Sequence, residues 1–218
     1  MSDNQEIFSR IARRYDLLNR VLSLGQEQRW RARAAAFLPA GRVLDLGSGT
    51  GAALPVLTGR AVVALDPVKP MLELSPIASR VVAVGERLPF PSGSFDGVFS
   101  AYVFRNLKSV EATLEEIHRV LRADGVAAIV DLARPLSTWQ RRIHRLGTSI
   151  VLPVAGLAIG APGEYWYLHR SLDQLPPPDQ LLRHPGLALE HTWRMGPLGF
   201  VYGAVLRKPA VHLPSADA

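Results

Sequence analysis

The sequence predicts an α/β fold in which helices cover both faces of a mostly parallel central sheet. Short, nearly uninterrupted apolar runs recur along the middle of the chain, helical intervals separate most of them, and a glycine-rich turn follows the first run. Strands that are apolar on both sides belong to parallel sheets buried between helices. The 218 residues are enough for one such domain.

Five candidate strands form the middle of the predicted sheet. They cover residues 42–47, 61–66, 80–84, 95–101 and 125–131. The clearest helix between them covers residues 110–121, and Asp124-Gly125 after it is a common helix stop signal. Two weaker runs, 187–195 and 200–207, predict a terminal hairpin at one sheet edge. The expected sheet therefore has about seven strands.

Two helices are expected before the first strand. Apolar side chains recur at three- and four-residue steps over residues 7–22, and a second helical stretch runs from residue 26 to residue 38, where Pro39 ends it. Residues 1–6 are polar and lack the basic and apolar segments of a signal peptide. We therefore expect a cytoplasmic protein.

The composition excludes several kinds of chemistry. The chain has no cysteine, so a disulfide framework, a cysteine-ligated zinc and a thiol nucleophile are ruled out. The six histidines are scattered along the sequence, and no metal site is predicted. The net charge of +6 suits nucleic acid or an anionic membrane leaflet, or reflects a general preference for arginine over lysine. Charge alone does not decide between these readings.

Residues 146–163 contain no charged side chain. Eighteen such positions are barely enough to span a membrane. Prolines 153 and 162 and four glycines interrupt the segment. The sequence therefore predicts one or two helices after the fifth strand, rather than a membrane-spanning helix.

The glycine turn after the first strand is the first sign of a ligand site. Its spacing is Gly47-x-Gly49-x-Gly51, which differs from the G-x-G-x-x-G of dinucleotide enzymes and opposes a nicotinamide dehydrogenase. Asp45 precedes the turn, and Asp66 closes the next strand, where a ribose diol would need a two-oxygen acceptor. An acid beside the turn favours a ligand with a cationic amine and a sulfonium over a pyrophosphate, which a carboxylate would repel.

This arrangement resembles motif I and its partner acid in class I S-adenosylmethionine methyltransferases. Residues 85–98 are similar to the loop and fourth strand on the adenine side of those enzymes. The resemblance implies a Rossmann-like class I methyltransferase fold, with S-adenosyl-L-methionine as the cofactor. The cofactor-binding residues that it implies are Asp45, Gly47, Ser48, Gly49, Thr50, Gly51, Asp66, Pro67, Met71, Gly85, Glu86 and Ala101.

Motifs outside the glycine turn resemble one family, the C-methyltransferases of menaquinone and ubiquinone biosynthesis. The matching motifs are Phe8-x-x-Ile-Ala12-x-x-Tyr-Asp16-x-x-Asn19, Phe104-Arg-Asn106, Asp131-x-x-x-Pro135 and Tyr165-x-Tyr-Leu168-x-x-Ser171. The resemblance covers about residues 7–207. Ala101 stands where the family commonly has a serine, and Val84-Gly85 replaces an Asn-Ala pair.

The family resemblance implies that a ring carbon of a prenylated quinol attacks the methyl group of a sulfonium. Arg105 would stabilise the developing phenolate because its guanidinium stays protonated, and Asn106 completes the family's Arg-Asn pair. Asp16 is the candidate proton acceptor. Tyr15, Asn19 and Tyr165 are the candidate substrate-binding residues.

The resemblance also implies how the chain is divided and what it contacts. We expect a single domain with an N-terminal helical cap (1–38), a cofactor-binding core (42–135), a substrate-covering insertion (136–185) and terminal strands (186–207). The prenylated substrate implies transient contact with the inner face of a membrane, and no nucleic acid is expected as a partner. A homodimer is left open.

Other functions remain open at this point. The chain could methylate a different small molecule, or act as a non-catalytic cofactor-binding scaffold in a quinone-synthesis complex. Nucleic-acid methylation is disfavoured because the chain lacks an Asn/Asp-Pro-Pro-aromatic motif and the cysteine that cytosine-C5 methylation needs.

Overall fold

The computed structural model describes Arg20 and residues 23–135, 137–159 and 176–210. The strands are β1 (Gly41–Leu46), β2 (Arg60–Asp66), β3 (Ser79–Val82), β4 (Phe95–Ala101), β5 (Leu121–Leu132), β6 (Ala188–Met195) and β7 (Val201–Arg207). The helices are α1 (Glu27–Ala35), α2 (Lys69–Glu73), α3 (Val110–Val120), α4 (Thr138–Ile159) and α5 (Pro178–Leu181). Short 3-10 turns lie at Leu54–Val56, Phe104–Asn106 and Pro197–Gly199.

The seven strands form one sheet in the order β3-β2-β1-β4-β5-β7-β6. Strands β1 to β5 are mutually parallel, whereas β7 runs antiparallel to both β5 and β6. The predicted terminal hairpin is confirmed at the β6 edge. The chain leaves β1 towards β3 on one side and returns to β4 on the other, so the strand order reverses between β1 and β4. Open α/β sheets bind ligands at such a switch point, beyond the carboxyl ends of the strands.

Buried apolar side chains cover both faces of the sheet. Leu44 and Leu46 of β1 pack in one cluster with Leu114 and Ile117 of α3. Val43 points to the other face and packs in a second cluster with side chains of α1. Because successive residues of a strand face opposite sides, a run that is apolar at every position must be covered twice. The predicted layer arrangement is confirmed.

The end of α3 differs from its sequence-based prediction. The helix ends at Val120, one residue before its predicted end, and β5 begins directly at Leu121 instead of at Gly125. Asp124 has a φ of 59°, and the pairing of β5 with β4 changes register at this point. The ammonium of Lys208 donates to the carbonyls of His118 and Leu121, at 2.8 and 2.9 Å. A distant cation therefore satisfies the end of the helix, and the Asp-Gly pair forms a bend within the strand.

Helix α4 follows β5 and includes most of the uncharged segment. It begins at Thr138, well before the segment, and continues to Ile159 through Pro153. Among the residues that the structure describes, no helix is long and apolar enough to cross a membrane. Residues 1–19 and 160–175 lie outside the described ranges, so the cap and insertion boundaries stay predictions.

Candidate functional site

An open cleft lies at the carboxyl ends of β1, β2 and β4, where the strand order reverses. It encloses about 1090 Å³ of empty space, including the solvent at its mouth. Most of the cofactor-binding residues expected from the sequence line this cleft. They are Asp45, Gly47, Ser48, Gly49, Thr50, Asp66, Pro67, Met71, Gly85, Glu86 and Ala101. The structure therefore brings together positions that are up to 56 residues apart in the sequence.

The glycine turn passes from β1 into the wall of the cleft. The amides of Gly47 and Ser48 both donate to the carbonyl of Leu65, at 2.7 and 3.0 Å, and tie the turn to β2. Gly47 has a φ of 70°, which favours glycine. A Cβ at this position would also lie 2.3 Å from a methyl carbon of Val103. Both the backbone and the close approach of Val103 therefore require glycine here.

Gly51 closes the turn without lining the cleft. Its amide donates to the carbonyl of Ser48 at 2.9 Å, and its φ is 80°. A Cβ on Gly51 would lie 2.5 Å from the hydroxyl oxygen of Ser75. This glycine lies where the turn packs against the chain after α2, and its cofactor-binding role stays a prediction.

The carboxylate of Asp66 is held in place by the backbone around it. Its Oδ2 accepts from the amide of Gly49 at 2.9 Å, and its Oδ1 accepts from the amide of Val68 at 2.8 Å. Burial raises the pKa of Asp66, while the two amide hydrogen bonds act in the opposite direction. Each oxygen keeps a second lone pair for a ligand hydroxyl, which is what a ribose diol needs.

Asp45 is buried at the bottom of the cleft, with 2% of its surface exposed. Its Oδ2 has no hydrogen-bond partner among the described residues. Burial raises the pKa of Asp45 to about 7, Arg31 acts to lower it, and the charge of Asp66 raises it further. A buried carboxyl oxygen without a donor is costly in an empty protein and suits a ligand that supplies a donor or a positive charge. Asp45 therefore fits the cationic amine and sulfonium of S-adenosylmethionine, whereas Asp66 fits its ribose.

Arg31 and Tyr102 also line the cleft and were not assigned from the sequence. The guanidinium of Arg31 is 5% exposed and lies 5.3 Å from the ring centroid of Tyr102. Tyr102 follows β4 with a φ of 65°, a conformation that non-glycine residues adopt at some cost. The position of Arg31 in α1, before the first strand, does not by itself indicate contact with the end of β4.

The Arg-Asn pair belongs to a 3-10 turn, Phe104–Asn106, which begins after Tyr102 and Val103, the two residues that follow β4. Asn106 lines the cleft, and its amide nitrogen lies 3.4 Å from the carbonyl oxygen of Tyr102. Its Oδ1 is buried and accepts no hydrogen bond from the described part of the chain. The turn thus presents an unused acceptor next to the cofactor-side residues.

Arg105 occupies a different place from Asn106. It is not among the residues that line the cleft, and its Nε and Nη1 are buried without hydrogen-bond partners in the described ranges. Its positive charge acts on Asp131 of β5, which is fully buried. Burial raises the pKa of Asp131, and the Arg105 guanidinium opposes that rise. The catalytic role of Arg105 stays a prediction.

The remaining predicted site residues, Tyr15, Asp16, Asn19 and Tyr165, lie outside the described residues. Their roles as proton acceptor and substrate contacts therefore stay predictions. Within residues 23–135, 137–159 and 176–210, no group of three or more histidine or acidic side chains could hold a metal ion.

Comparison with known proteins identifies the family. The model of the ubiE/COQ5 methyltransferase family matches residues 2–188. The chain belongs to this family. A demethylmenaquinone methyltransferase of Thermus thermophilus is 38% identical over 191 residues, covering 80% of this chain and 87% of the relative. The ubiquinone/menaquinone biosynthesis C-methyltransferase UbiE of Geotalea uraniireducens is 37% identical over 190 residues, covering 79% and 81%.

Solved structures support the fold of this family member. A SAM-dependent methyltransferase of Thermotoga maritima superposes with a TM-score of 0.67 at 18% identity, covering 93% of this chain and 99% of the other. A SAM-dependent methyltransferase of Aquifex aeolicus superposes with a TM-score of 0.51 at 19% identity, covering 81% and 86%. These structures confirm the expected Rossmann-like class I fold. The family match and the relatives confirm the expected S-adenosylmethionine-dependent methyltransferase activity.

Proposed function

We propose that this family member methylates a ring carbon of a prenylated, demethylmenaquinol-like quinol in menaquinone or ubiquinone biosynthesis. The observation that carries the proposal is the cleft with Asp45 and Asp66 at adjacent strand ends, in a chain with relatives named for this reaction. Bound S-adenosylmethionine supplies an electrophilic methyl group on a sulfonium.

The cofactor would be held by groups that already face the cleft. Asp66 would accept hydrogen bonds from the ribose hydroxyls, since the amides of Gly49 and Val68 fix its carboxylate. Asp45 would compensate the positive charge of the ligand through its unpartnered oxygen. The glycine turn leaves room for the ligand to approach the backbone.

The methyl acceptor would meet the Arg-Asn turn. A ring carbon of the quinol forms the new carbon–carbon bond as the methyl–sulfur bond breaks and leaves a neutral thioether. The negative charge of the ring oxygen would be stabilised by Arg105, with Asn106 positioning the ring through its unused Oδ1. The proton of the ring hydroxyl would pass to Asp16 as the ring oxygen becomes anionic, and the proton displaced from the methylated carbon would return to that oxygen. Tyr15, Asn19 and Tyr165 are proposed to hold the quinol ring.

A long prenyl tail has consequences for location. Such a substrate dissolves in the bilayer, so a cytoplasmic enzyme would have to bind at the inner face of the membrane to reach it. The net charge of +6 supports attraction to anionic lipid. We therefore propose transient peripheral association, and a homodimer remains compatible with it.

The test is methyl transfer by the purified full-length protein with labelled S-adenosylmethionine. The acceptors are demethylated naphthoquinols and benzoquinols with and without prenyl tails, and small amines and phenols serve as controls. We expect label in the quinol ring. Label in another acceptor class would replace the proposed substrate, and cofactor binding without any transfer would favour the non-catalytic scaffold.

A further inference from the structure

Helix α4 carries an exposed apolar stripe. Trp139, Ile143 and Leu146 are 59%, 51% and 66% exposed. Their spacing of four and three residues places them on one side of the helix, because an α-helix turns 100° per residue. Three large apolar side chains that are more than half exposed and adjacent on one helix are unusual on a surface that contacts only water.

A different side of the helix faces the rest of the protein. The ring of His144 stacks on Phe200 at a centroid distance of 5.4 Å and an interplanar angle of 30°. The Nδ1 of His144 also lies 3.0 Å from the Nη1 of Arg134. His144 points about 100° or more away from Trp139, Ile143 and Leu146 around the helix. The stripe is therefore turned away from the body of the protein.

The third side of the helix is basic. Arg141, Arg142 and Arg145 are exposed, and α4 (Thr138–Ile159) contains no acidic residue. Arg142 lies three residues after Trp139 and four before Leu146, so its charge borders the apolar stripe, and Arg141 and Arg145 extend the basic side beyond it. An apolar stripe bordered by arginines, with a tryptophan in it, has the composition of helices that lie in the plane of a membrane interface.

We propose that the stripe Trp139–Ile143–Leu146 and its bordering arginines form the surface that docks this protein on an anionic lipid bilayer. The apolar side chains would enter the headgroup region, and the guanidinium groups would contact lipid phosphates. The lipid is favoured by charge complementarity over a neutral partner surface. The inference deepens the proposed function, because it assigns the membrane contact to one helix, but the binding itself does not require catalysis.

Binding of the full-length protein is measured by flotation with vesicles of phosphatidylcholine containing about 30% phosphatidylglycerol, and with pure phosphatidylcholine. We expect at least about tenfold stronger binding to the anionic vesicles, weakened by 0.5 M salt because exposed charges are screened. The variant Trp139→Ser/Ile143→Ser/Leu146→Ser should lose about tenfold or more. Arg142→Gln/Arg145→Gln should bind more weakly than the unchanged protein at low salt, and the difference should shrink at high salt because the charges are screened there.

A matched control removes exposed apolar side chains elsewhere. Leu74 and Val82 are 45% and 56% exposed and lie away from α4, so Leu74→Ser/Val82→Ser should bind vesicles as the unchanged protein does. Lipids with brominated acyl chains should quench part of the tryptophan fluorescence of the unchanged protein, and this quenching should be absent in Trp139→Phe. The unchanged protein should methylate a short-tailed, water-soluble quinol in the absence of vesicles, and the α4 triple variant should bind S-adenosylmethionine with an unchanged Kd, which separates a failure of docking from a failure of the proposed function.

Several outcomes would overturn the docking proposal. One is vesicle binding by the triple variant equal to that of the unchanged protein, and another is no binding by the unchanged protein. A dimer that the triple variant converts to monomers would assign the stripe to contact between two copies. Trp139 shielded from acrylamide in the free protein, with no change on adding vesicles, would mean that another part of the chain covers it.

Discussion

Asp45, near the end of β1, and Asp66, the last residue of β2, place two carboxyl groups of the same charge in one cleft. Asp66 is held by two backbone amides, whereas Oδ2 of Asp45 has no partner among the described residues. The charge of Asp66 adds to burial in raising the pKa of Asp45 to about 7. The pair is therefore unfavourable in the ligand-free protein and should become favourable when a cationic ligand binds between the strand ends.

Cofactor affinity should depend on pH through Asp45. Binding of a cationic group requires the ionised carboxylate, so the affinity for S-adenosylmethionine should fall as pH is lowered below about 7, approaching about tenfold per unit. Isothermal titration calorimetry between pH 5 and pH 7 measures this, and Asp45→Asn should flatten the dependence. If the affinity of Asp45→Asn depends on pH as that of the unchanged protein does, and the affinity of Asp66→Asn does not depend on pH, then Asp66 is the carboxyl group that titrates.

The same carboxyl should limit the stability of the ligand-free protein. Its folded pKa of about 7 lies above the ordinary aspartate value of 3.8, so its contribution to stability is complete below pH 4 and is lost as pH rises through 7. Asp45→Asn should therefore be more stable than the unchanged protein at pH 8, by about 1–3 kcal/mol, and not at pH 4. Urea unfolding at both pH values is the measurement, with the exposed Glu73→Gln as control. A destabilised Asp45→Asn at pH 8 would contradict this account.

Asp66 should matter for binding in two separable ways. Asp66→Ala removes the proposed ribose acceptor and also the bonds to the amides of Gly49 and Val68. We expect it to weaken cofactor binding by about 1–3 kcal/mol. Asp66→Asn keeps one acceptor oxygen and should be less severe. If both variants bind as the unchanged protein does, Asp66 serves only to hold the turn.

Loss of Arg105 should appear in kcat more than in cofactor affinity. A group that stabilises charge formed only in the transition state changes the rate of that step, on the order of a hundredfold or more. Arg105→Lys keeps the charge but not the fork of donors and should also be impaired. Single-turnover kinetics on a demethylated quinol, with Kd for S-adenosylmethionine measured alongside, checks this.

Because Arg105 acts on the buried Asp131, its variants require a control for folding. Removing the guanidinium leaves that carboxyl without its compensating charge, so Arg105→Ala should lose stability as pH rises. Activity should therefore be compared where thermal unfolding shows the variant to be folded. Normal turnover by a folded Arg105→Ala would make the Arg-Asn turn structural.

Gly47→Ala should destabilise the protein more than Gly59→Ala, although both glycines have similar positive φ values. Gly47 and Gly59 have φ values of 70° and 78°, but a Cβ on Gly59 meets nothing within 4 Å. Gly59→Ala should therefore cost about 1 kcal/mol, and Gly47→Ala about 1–3 kcal/mol more, because it overlaps Val103. Adding Val103→Ala should recover part of the difference in urea unfolding. No recovery would mean that the overlap is relieved elsewhere.

Local patterns in the sequence determined the layers of the fold and the position of the glycine turn. The apolar run of β1 is buried from Val43 to Leu46, as expected for a strand covered on both faces. Asp66 was recognisable because it ends the next run, and parallel strands end at the same edge of a sheet. Such features are encoded by neighbouring residues, so spacing and residue type reveal them.

Only the tertiary structure decided which of these residues face the cleft and how they are charged. The burial that raises the pKa of Asp45, the place of Arg31 over Tyr102 and the effect of the Arg105 charge on the pKa of Asp131 all depend on residues distant in sequence. The end of α3 likewise depends on Lys208, 88 residues beyond Val120. Desolvation and charge interactions depend on distances in space, and these exist only once the strands have assembled into a sheet.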